Sequence, residues 1–204
     1  MPLILTLDAA LIPCSAGLVQ DGALLAACHD PDAHALPTLA HRLLVHHKPD
    51  LVAVTVGPGS FTGLRAAIAL AHGIAIGAGI PVVGVTLGAA MATACPPGRT
   101  LWTVIDNKRG QLVLECCGHL ATLALDTLPR PDTPIALALA GDAAPAVAAH
   151  LAANGADSLL LAARAPTPLG IAHAAITGPT RPPLPLYVDP PHAQPGPPGR
   201  PPPM

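Results

Sequence analysis

The residues of this chain best placed to do chemistry form a turn at 57–65, which reads Gly-Pro-Gly-Ser-Phe-Thr-Gly-Leu-Arg and joins an apolar strand to a helix. A phosphate loop of the Walker type needs a lysine before its final Ser or Thr, and this turn has none. A dinucleotide fingerprint needs a third glycine where Thr62 stands, and an acidic residue about 20 positions later. The next acid is Asp106. The pattern therefore favours a capped structural turn over nucleotide binding, and its structural residues are Gly57, Pro58, Gly59 and Ser60.

Other catalytic and metal-binding patterns are also incomplete. Ser60 lacks the Gly-x-Ser-x-Gly elbow of a hydrolase. The five cysteines contain no Cys-x-x-Cys, and the adjacent pair at 116–117 is a poor disulfide candidate if it lies in a strand. Four histidines near one predicted helix show neither His-x-x-x-His nor His-Glu-x-x-His spacing; they are His34, His41, His46 and His47. We expect no catalytic, cofactor-binding or metal-binding residue.

The helix predicted over 63–77 is the next informative feature. No charged residue occurs between Arg65 and Arg99, and residues 66–80 are almost entirely apolar or small. Three small residues at i, i+4 and i+8 form a flat ridge on which a second helix can approach closely; they are Ala69, Gly73 and Gly77. A membrane span needs about 20 apolar residues, whereas Pro81 ends this helix early. The helix therefore predicts a protein partner.

The remaining pattern alternates strands and helices in two similar units. The first unit is predicted to contain strands at 3–7, 14–19, 23–28 and 51–56 and helices at 35–47 and 63–77. The second is predicted to contain strands at 101–105, 111–117, 135–140 and 158–162 and helices at 143–153 and 169–176. This repetition indicates duplication, with an N-terminal lobe at 1–98 and a C-terminal lobe at 99–177. Residues 178–204 are proline-rich and predict an extended, largely disordered tail, of which 184–188 can dock.

Composition agrees with a globular protein that does not bind nucleic acid by charge. A net charge of −2 over 204 residues gives no general attraction to phosphate backbones. Hydrophobic residues make up 51% and aromatic residues only 1%, so Ala, Leu, Val and Ile must fill the core. The N-terminus lacks a basic segment, and Asp8 interrupts its apolar run, which disfavours a signal peptide. We expect a cytoplasmic location.

The turn also carries a family resemblance. Together with LILTLD at 3–8 and GIAIGAGIPVVGV at 73–85, residues 57–65 resemble the TsaB (YeaZ) family, with similarity from about Leu3 to Gly110. The resemblance implies an α/β fold with the two lobes of actin, Hsp70 and sugar kinases (ASKHA), built from a duplicated βββαβα unit with a shortened second lobe. It implies a non-catalytic subunit needed for threonylcarbamoylation of the adenosine next to the anticodon of tRNA.

The resemblance also implies partners. These are a TsaD-like paralogue in a heterodimer, a TsaE-like ATPase on the assembled pair, and tRNA through the complex, with a homodimer expected when the paralogue is absent. The expected partner interface comprises His34, Leu36, Leu39, Leu43, Phe61, Thr62, Gly63, Arg65, Ala66, Ala69, Leu70, Gly73 and Gly77. Two alternatives stay open, a weak ATP-binding or ATPase protein of this fold and a structural homodimer unrelated to tRNA modification. Nucleotide hydrolysis is disfavoured because Ala9 and Ala10 follow Asp8 where a phosphate cradle needs glycine and hydroxyl residues.

Overall fold

The computed structural model of the protein describes residues 2–129 and 136–188. The strands are β1 (Ile4–Asp8), β2 (Cys14–Gln20), β3 (Ala23–Asp30), β4 (Leu51–Gly57), β5 (Val82–Thr86), β6 (Thr100–Asp106), β7 (Leu112–Cys116), β8 (His119–Leu123), β9 (Leu137–Ala140) and β10 (Ser158–Leu160). The helices are α1 (Leu36–Leu44), α2 (Phe61–Ala78), α3 (Leu87–Met91), α4 (Ala144–Ala153) and α5 (Pro168–Thr177).

Two five-stranded sheets repeat one topology. The first has the order β3-β2-β1-β4-β5, and the second, read from its opposite edge, has the order β8-β7-β6-β9-β10. In each sheet, the first three strands along the chain pair antiparallel with one another. The fourth and fifth strands along the chain run parallel to the first. The predicted duplication and the two-lobed α/β architecture are confirmed. Among the described residues between β8 and β9 there is only a short 3₁₀ turn, at Leu125–Thr127, where the first lobe has α1.

Within the described residues, the two sheets and five α-helices stack in five layers because both faces of each sheet are apolar. Helices α1 and α2 cover one face of the first sheet through alternate residues such as Leu5, Leu7 and Val54. Helix α5 covers the other face through Ile4 and Ala53. Helix α3 packs on α5 and on β6 and β7, and α4 covers the outer face of the second sheet.

Sequence patterns located most elements within a few residues. They left three unassigned: β5, α3 and β8. Strand β5 is a five-residue apolar run directly after a long apolar helix, so no change of composition marks it. Helix α1 ends at Leu44, earlier than the predicted 47.

The described part of the expected tail lies against the first lobe. We call residues 181–188 the strap. Arg181 forms an isolated antiparallel bridge with Gly84 on the edge strand β5. The Leu186 N–H donates to the Val56 carbonyl at 2.7 Å. The strap therefore runs from the edge of the sheet to the end of β4. Residues 189–204, the rest of the tail that was expected to be disordered, lie outside the described residues.

Candidate protein interface on helix α2

The turn before α2 is fixed by backbone contacts with the loop after β1. A Cβ at Gly59 or Gly63 would lie 2.4 Å and 2.1 Å from the carbonyl oxygens of Ala10 and Ala9, so both positions require glycine. The Ser60 N–H donates to the Ala10 carbonyl at 2.8 Å. The Ser60 side chain caps α2 by accepting a hydrogen bond from the Gly63 N–H at 3.3 Å. Gly59 and Ser60 of the expected turn therefore hold it against the loop after β1, and Ser60 is engaged as a helix cap.

Helix α2 buries one face and leaves the other open. Its buried residues lie on β4 and β1, whereas Ala69, Gly73 and Gly77 are exposed. No described atom lies within 4 Å of a Cβ built on either glycine, so nothing in the described chain covers the ridge. Only 33% of the 18 helical residues are buried, at a mean hydropathy of 1.4. By length and composition alone this helix could cross a membrane, but its buried face is part of the first lobe's core.

The open face of α2 carries two large apolar side chains. Ile76 is 81% exposed and Phe61 is 53% exposed. Ile76 was not among the expected interface residues, although its position beside Gly73 and Gly77 on the ridge is a signal that could have identified it. Thr62, Arg65 and Ala66 are exposed as expected, and Leu70 is half-buried. The open face is therefore broader and more apolar than the predicted ridge.

An aromatic cluster closes the N-terminal end of this face. The Arg65 guanidinium lies 3.7 Å from the centre of the Phe61 ring, and its Nε donates to the Tyr187 hydroxyl at 2.7 Å. The Phe61 and Tyr187 rings are 5.5 Å apart. Further along α2, the ring of His72 is 3.1 Å from the Pro183 carbonyl. The strap thus borders the open face. The sequence indicated that 184–188 can dock, but it gave no local signal for the contact of Tyr187 with Arg65, 122 positions away.

Four of the expected interface residues are buried within the chain itself. Leu36, Leu39 and Leu43 of α1 are 1%, 3% and 5% exposed because they face β2 and β3. Gly63 is enclosed by the loop after β1. Their assignment to a partner interface is wrong, since these atoms cannot reach a second protein. On and beside α1, the exposed residues include His34, His41 and Val45.

A fully buried carboxyl, Asp8, lies at the end of β1. Its Oδ1 accepts hydrogen bonds from the Thr55 hydroxyl and from the Ala10 N–H at 3.0 Å. Its Oδ2 is buried with no hydrogen-bond partner among the described residues. Burial raises the pKa of Asp8 to about 6, against smaller lowering by the hydrogen bonds from Thr55 and Ala10.

The loop after Asp8 fills the space beside this carboxyl with apolar side chains. Ala10 and Leu11 are buried in a cluster with Leu64 of α2 and Ile105 of β6, and this cluster joins the two lobes. In the second lobe, Asp106 Oδ1 accepts from the Lys108 N–H at 2.7 Å, so both strand-end aspartates cap local amides. Residues 2–129 and 136–188 contain no group of three or more His, Cys, Asp or Glu side chains placed to hold a metal ion.

Comparison with known proteins identifies the family. A family model described as "TsaD: tRNA N6-adenosine threonylcarbamoyltransferase" matches residues 39–154, more than half of the chain. The chain belongs to this family. The predicted resemblance to TsaB (YeaZ) proteins is confirmed by a curated relative from Escherichia coli strain K12, "tRNA threonylcarbamoyladenosine biosynthesis protein TsaB". That match is 33% identical over 97 residues and covers 44% of this chain and 42% of the relative, less than half of its length.

Solved structures agree with the fold of this chain. YeaZ from Pseudomonas aeruginosa superposes with a TM-score of 0.73 at 22% identity, covering 92% of this chain and 100% of that one. A second Pseudomonas aeruginosa structure, described as an uncharacterised protein with similarity to peptidase YeaZ, has the same TM-score at 21% identity and covers 93% of this chain and 100% of that one. The fold is therefore shared along nearly the full length.

Proposed function

We propose that this TsaB-family protein is a non-catalytic subunit required for threonylcarbamoylation of the adenosine next to the anticodon of tRNA. It acts by docking helix α2 against a TsaD-like paralogue, which carries the chemistry. The observation that carries the proposal is the open face of α2, where Gly73 and Gly77 are exposed and Ile76 is 81% exposed. An apolar face of this length is costly in water and is typical of a protein interface.

The ridge geometry supports a helix as the docking element. Because Ala69, Gly73 and Gly77 lack bulky side chains, a partner helix can approach α2 with its backbone close to that of α2. An equivalent helix of a paralogue has the right shape, and so does a second copy of this chain. We therefore propose a homodimer when the paralogue is absent, and a TsaE-like ATPase docking on the assembled heterodimer.

The packing of the loop after Asp8 supports a non-catalytic role. The space that a phosphate cradle would need after Asp8 is filled by the buried side chains of Ala10 and Leu11. With a net charge of −2, the protein would contact tRNA only through the complex, and we place it in the cytoplasm. The alternative is an ATP-binding or ATPase role. Calorimetry with ATP and Mg²⁺ separates this role from the non-catalytic one, because measurable ATP binding would favour the ATP-binding role.

The decisive experiment is Gly73→Leu. Since nothing described lies within 4 Å of a Cβ there, leucine fits the free subunit, and it also raises helix propensity. In the complex, the added bulk overpacks the ridge at a cost of about 1–3 kcal/mol, which weakens binding of the TsaD-like paralogue about 5- to 150-fold. Titration calorimetry measures this effect.

Two variants serve as controls. Ala149→Leu adds the same kind of bulk to an exposed alanine on α4 and should leave the affinity unchanged. Gly73→Ala should weaken binding less than Gly73→Leu does. Circular dichroism should show the wild-type helix content in all three. An unchanged affinity for Gly73→Leu would overturn the docking proposal, and depletion of the protein without loss of the modified nucleoside would overturn the role in tRNA modification.

A further inference from the structure

The hairpin between β7 and β8 brings two thiols together outside the α2 face. Cys116 is the last residue of β7 and pairs with His119 of β8, so the hairpin loop has only two residues. Cys117 and Gly118 occupy that loop with φ angles of +50° and +78°, as a tight type I′ turn requires. The sulfur atoms of Cys116 and Cys117 are 3.8 Å apart. Cys117 therefore lies in a turn, not in the strand that the sequence suggested.

The two thiols differ in their surroundings but are reachable together. Cys117 is exposed and Cys116 is half-buried against the core of the second lobe. We propose that Cys116 and Cys117 form a chelating dithiol site for a trivalent arsenical, with both sulfurs bound to one arsenic atom. This site would bind its ligand whether or not α2 docks on a partner.

The sulfur separation suits a bridging atom. A tetrahedral centre with bonds of about 2.3 Å would hold two sulfurs about 3.8 Å apart, the spacing found here. Trivalent arsenic is pyramidal and holds its two sulfurs somewhat closer, so binding needs only a small approach of the two thiols. A disulfide instead needs sulfurs about 2.05 Å apart and Cα atoms usually about 4.4–6.8 Å apart. Consecutive Cα atoms across a trans peptide are only about 3.8 Å apart, so an adjacent pair closes a disulfide under strain. Geometry therefore favours chelation over oxidation to a disulfide.

The shortage of further ligands favours the arsenical over zinc. Within the described ranges no third His, Cys, Asp or Glu side chain joins this pair in a metal-binding group, whereas zinc sites use four ligands. Burial, followed by the neighbouring Cys117 thiol, raises the pKa of Cys116 to about 11, so a cation would have to displace a tightly held proton. An organoarsenical supplies its own carbon substituent and needs two sulfurs only.

The reaction balances without an outside oxidant or base. An arsenoxide, R–As=O, meets two thiols; the arsenic–oxygen bond and both sulfur–hydrogen bonds break, and two arsenic–sulfur bonds form. The oxygen leaves as water with the two thiol protons, and arsenic remains trivalent. No net proton is released, so the raised pKa of Cys116 does not weaken the equilibrium binding.

The test uses phenylarsine oxide and the full chain. Intact-mass spectrometry should show one phenylarsenic group per chain, retained in excess monothiol and removed by dithiothreitol. Cys117→Ser and Cys116→Ser should each bind at least about 100-fold more weakly because the second sulfur no longer binds within the same molecule. Cys95→Ser, which changes a half-buried thiol elsewhere, should bind like the wild type.

A second readout comes from the single tryptophan of the chain. Trp102 of β6 pairs directly with Cys116, so its fluorescence should change on binding in the wild type and not in Cys116→Ser. Equal binding by Cys117→Ser would overturn the proposal. The arsenical site would also be overturned if the wild type did not bind phenylarsine oxide and peroxide treatment removed two hydrogens from this pair. That result would show that the two cysteines form a disulfide instead.

Discussion

Among the individual residues, Asp8 is a carboxyl whose ionisation opposes folding. It is fully buried, one of its oxygens has no hydrogen-bond partner in the described structure, and its pKa is raised from 3.8 to about 6. Between these two values the folded chain binds more protons than the unfolded chain, so the free energy of unfolding falls as pH rises through this window. At about 1.4 kcal/mol per unit of pKa, the total loss is about 3 kcal/mol by pH 7.

Asp8→Asn tests this account. The amide oxygen can still accept from Ala10 and Thr55, but no charge is buried, so the variant should be about 1–3 kcal/mol more stable than the wild type at pH 7.5. At pH 4 the difference should shrink or reverse. Urea unfolding at pH 4, 5, 6 and 7.5 measures the effect, and Asp157→Asn, at an exposed position, should leave the pH profile unchanged. A wild-type profile that is flat between pH 4 and 6 would contradict the role of Asp8.

Among the elements, α2 could be predicted from the sequence, whereas the packing partner of α1 could not. The Gly, Pro and Ser residues of the 57–63 turn specify a local geometry, and both the turn and α2 could be predicted from them. The leucine stripe of α1 predicts an apolar face correctly, but the same i, i+3, i+7 spacing suits the chain's own sheet and a partner equally. The choice depends on which elements pack together across the sheet, which no local pattern encodes. The contact of Tyr187 with Arg65 could not be predicted from the sequence for the same reason.

The corrected position of α1 leads to a prediction about Leu39. Because this side chain is 3% exposed in the core between α1 and the first sheet, Leu39→Ala should lower the free energy of unfolding by about 2–5 kcal/mol. Val45→Ala, at a position 57% exposed just after α1, should change it by less than about 0.5 kcal/mol. Chemical denaturation of the isolated protein measures both. If Leu39→Ala weakened partner binding while leaving stability intact, the burial of this stripe would not describe the protein in solution.

At the scale of the whole molecule, the two lobes are joined by an apolar cluster and by one buried carboxylate. Glu115 of β7 accepts hydrogen bonds from the Thr86 hydroxyl at 2.6 Å and from the Gly88 N–H at 2.7 Å. Thr86 ends the first sheet and caps α3 by accepting from the Ala89 N–H. Burial raises the pKa of Glu115, against smaller lowering by the hydrogen bonds from Thr86 and Gly88. A single side chain of the second lobe thus satisfies two polar groups of the connection from the first.

Removing this carboxylate should therefore weaken the joint between the lobes. Glu115→Ala leaves the Thr86 hydroxyl and the Gly88 N–H without their acceptor, which should cost about 2–4 kcal/mol of the free energy of unfolding. Glu115→Gln keeps the shape and one acceptor oxygen, so its loss should be about 1 kcal/mol or less. Gly88→Ala should also destabilise, since its Cβ would lie 2.5 Å from the Glu115 carboxyl carbon. Urea unfolding, monitored by Trp102 fluorescence and by circular dichroism, measures these losses in stability. Equal stability of Glu115→Ala and Glu115→Gln would show that the carboxylate does not join the lobes.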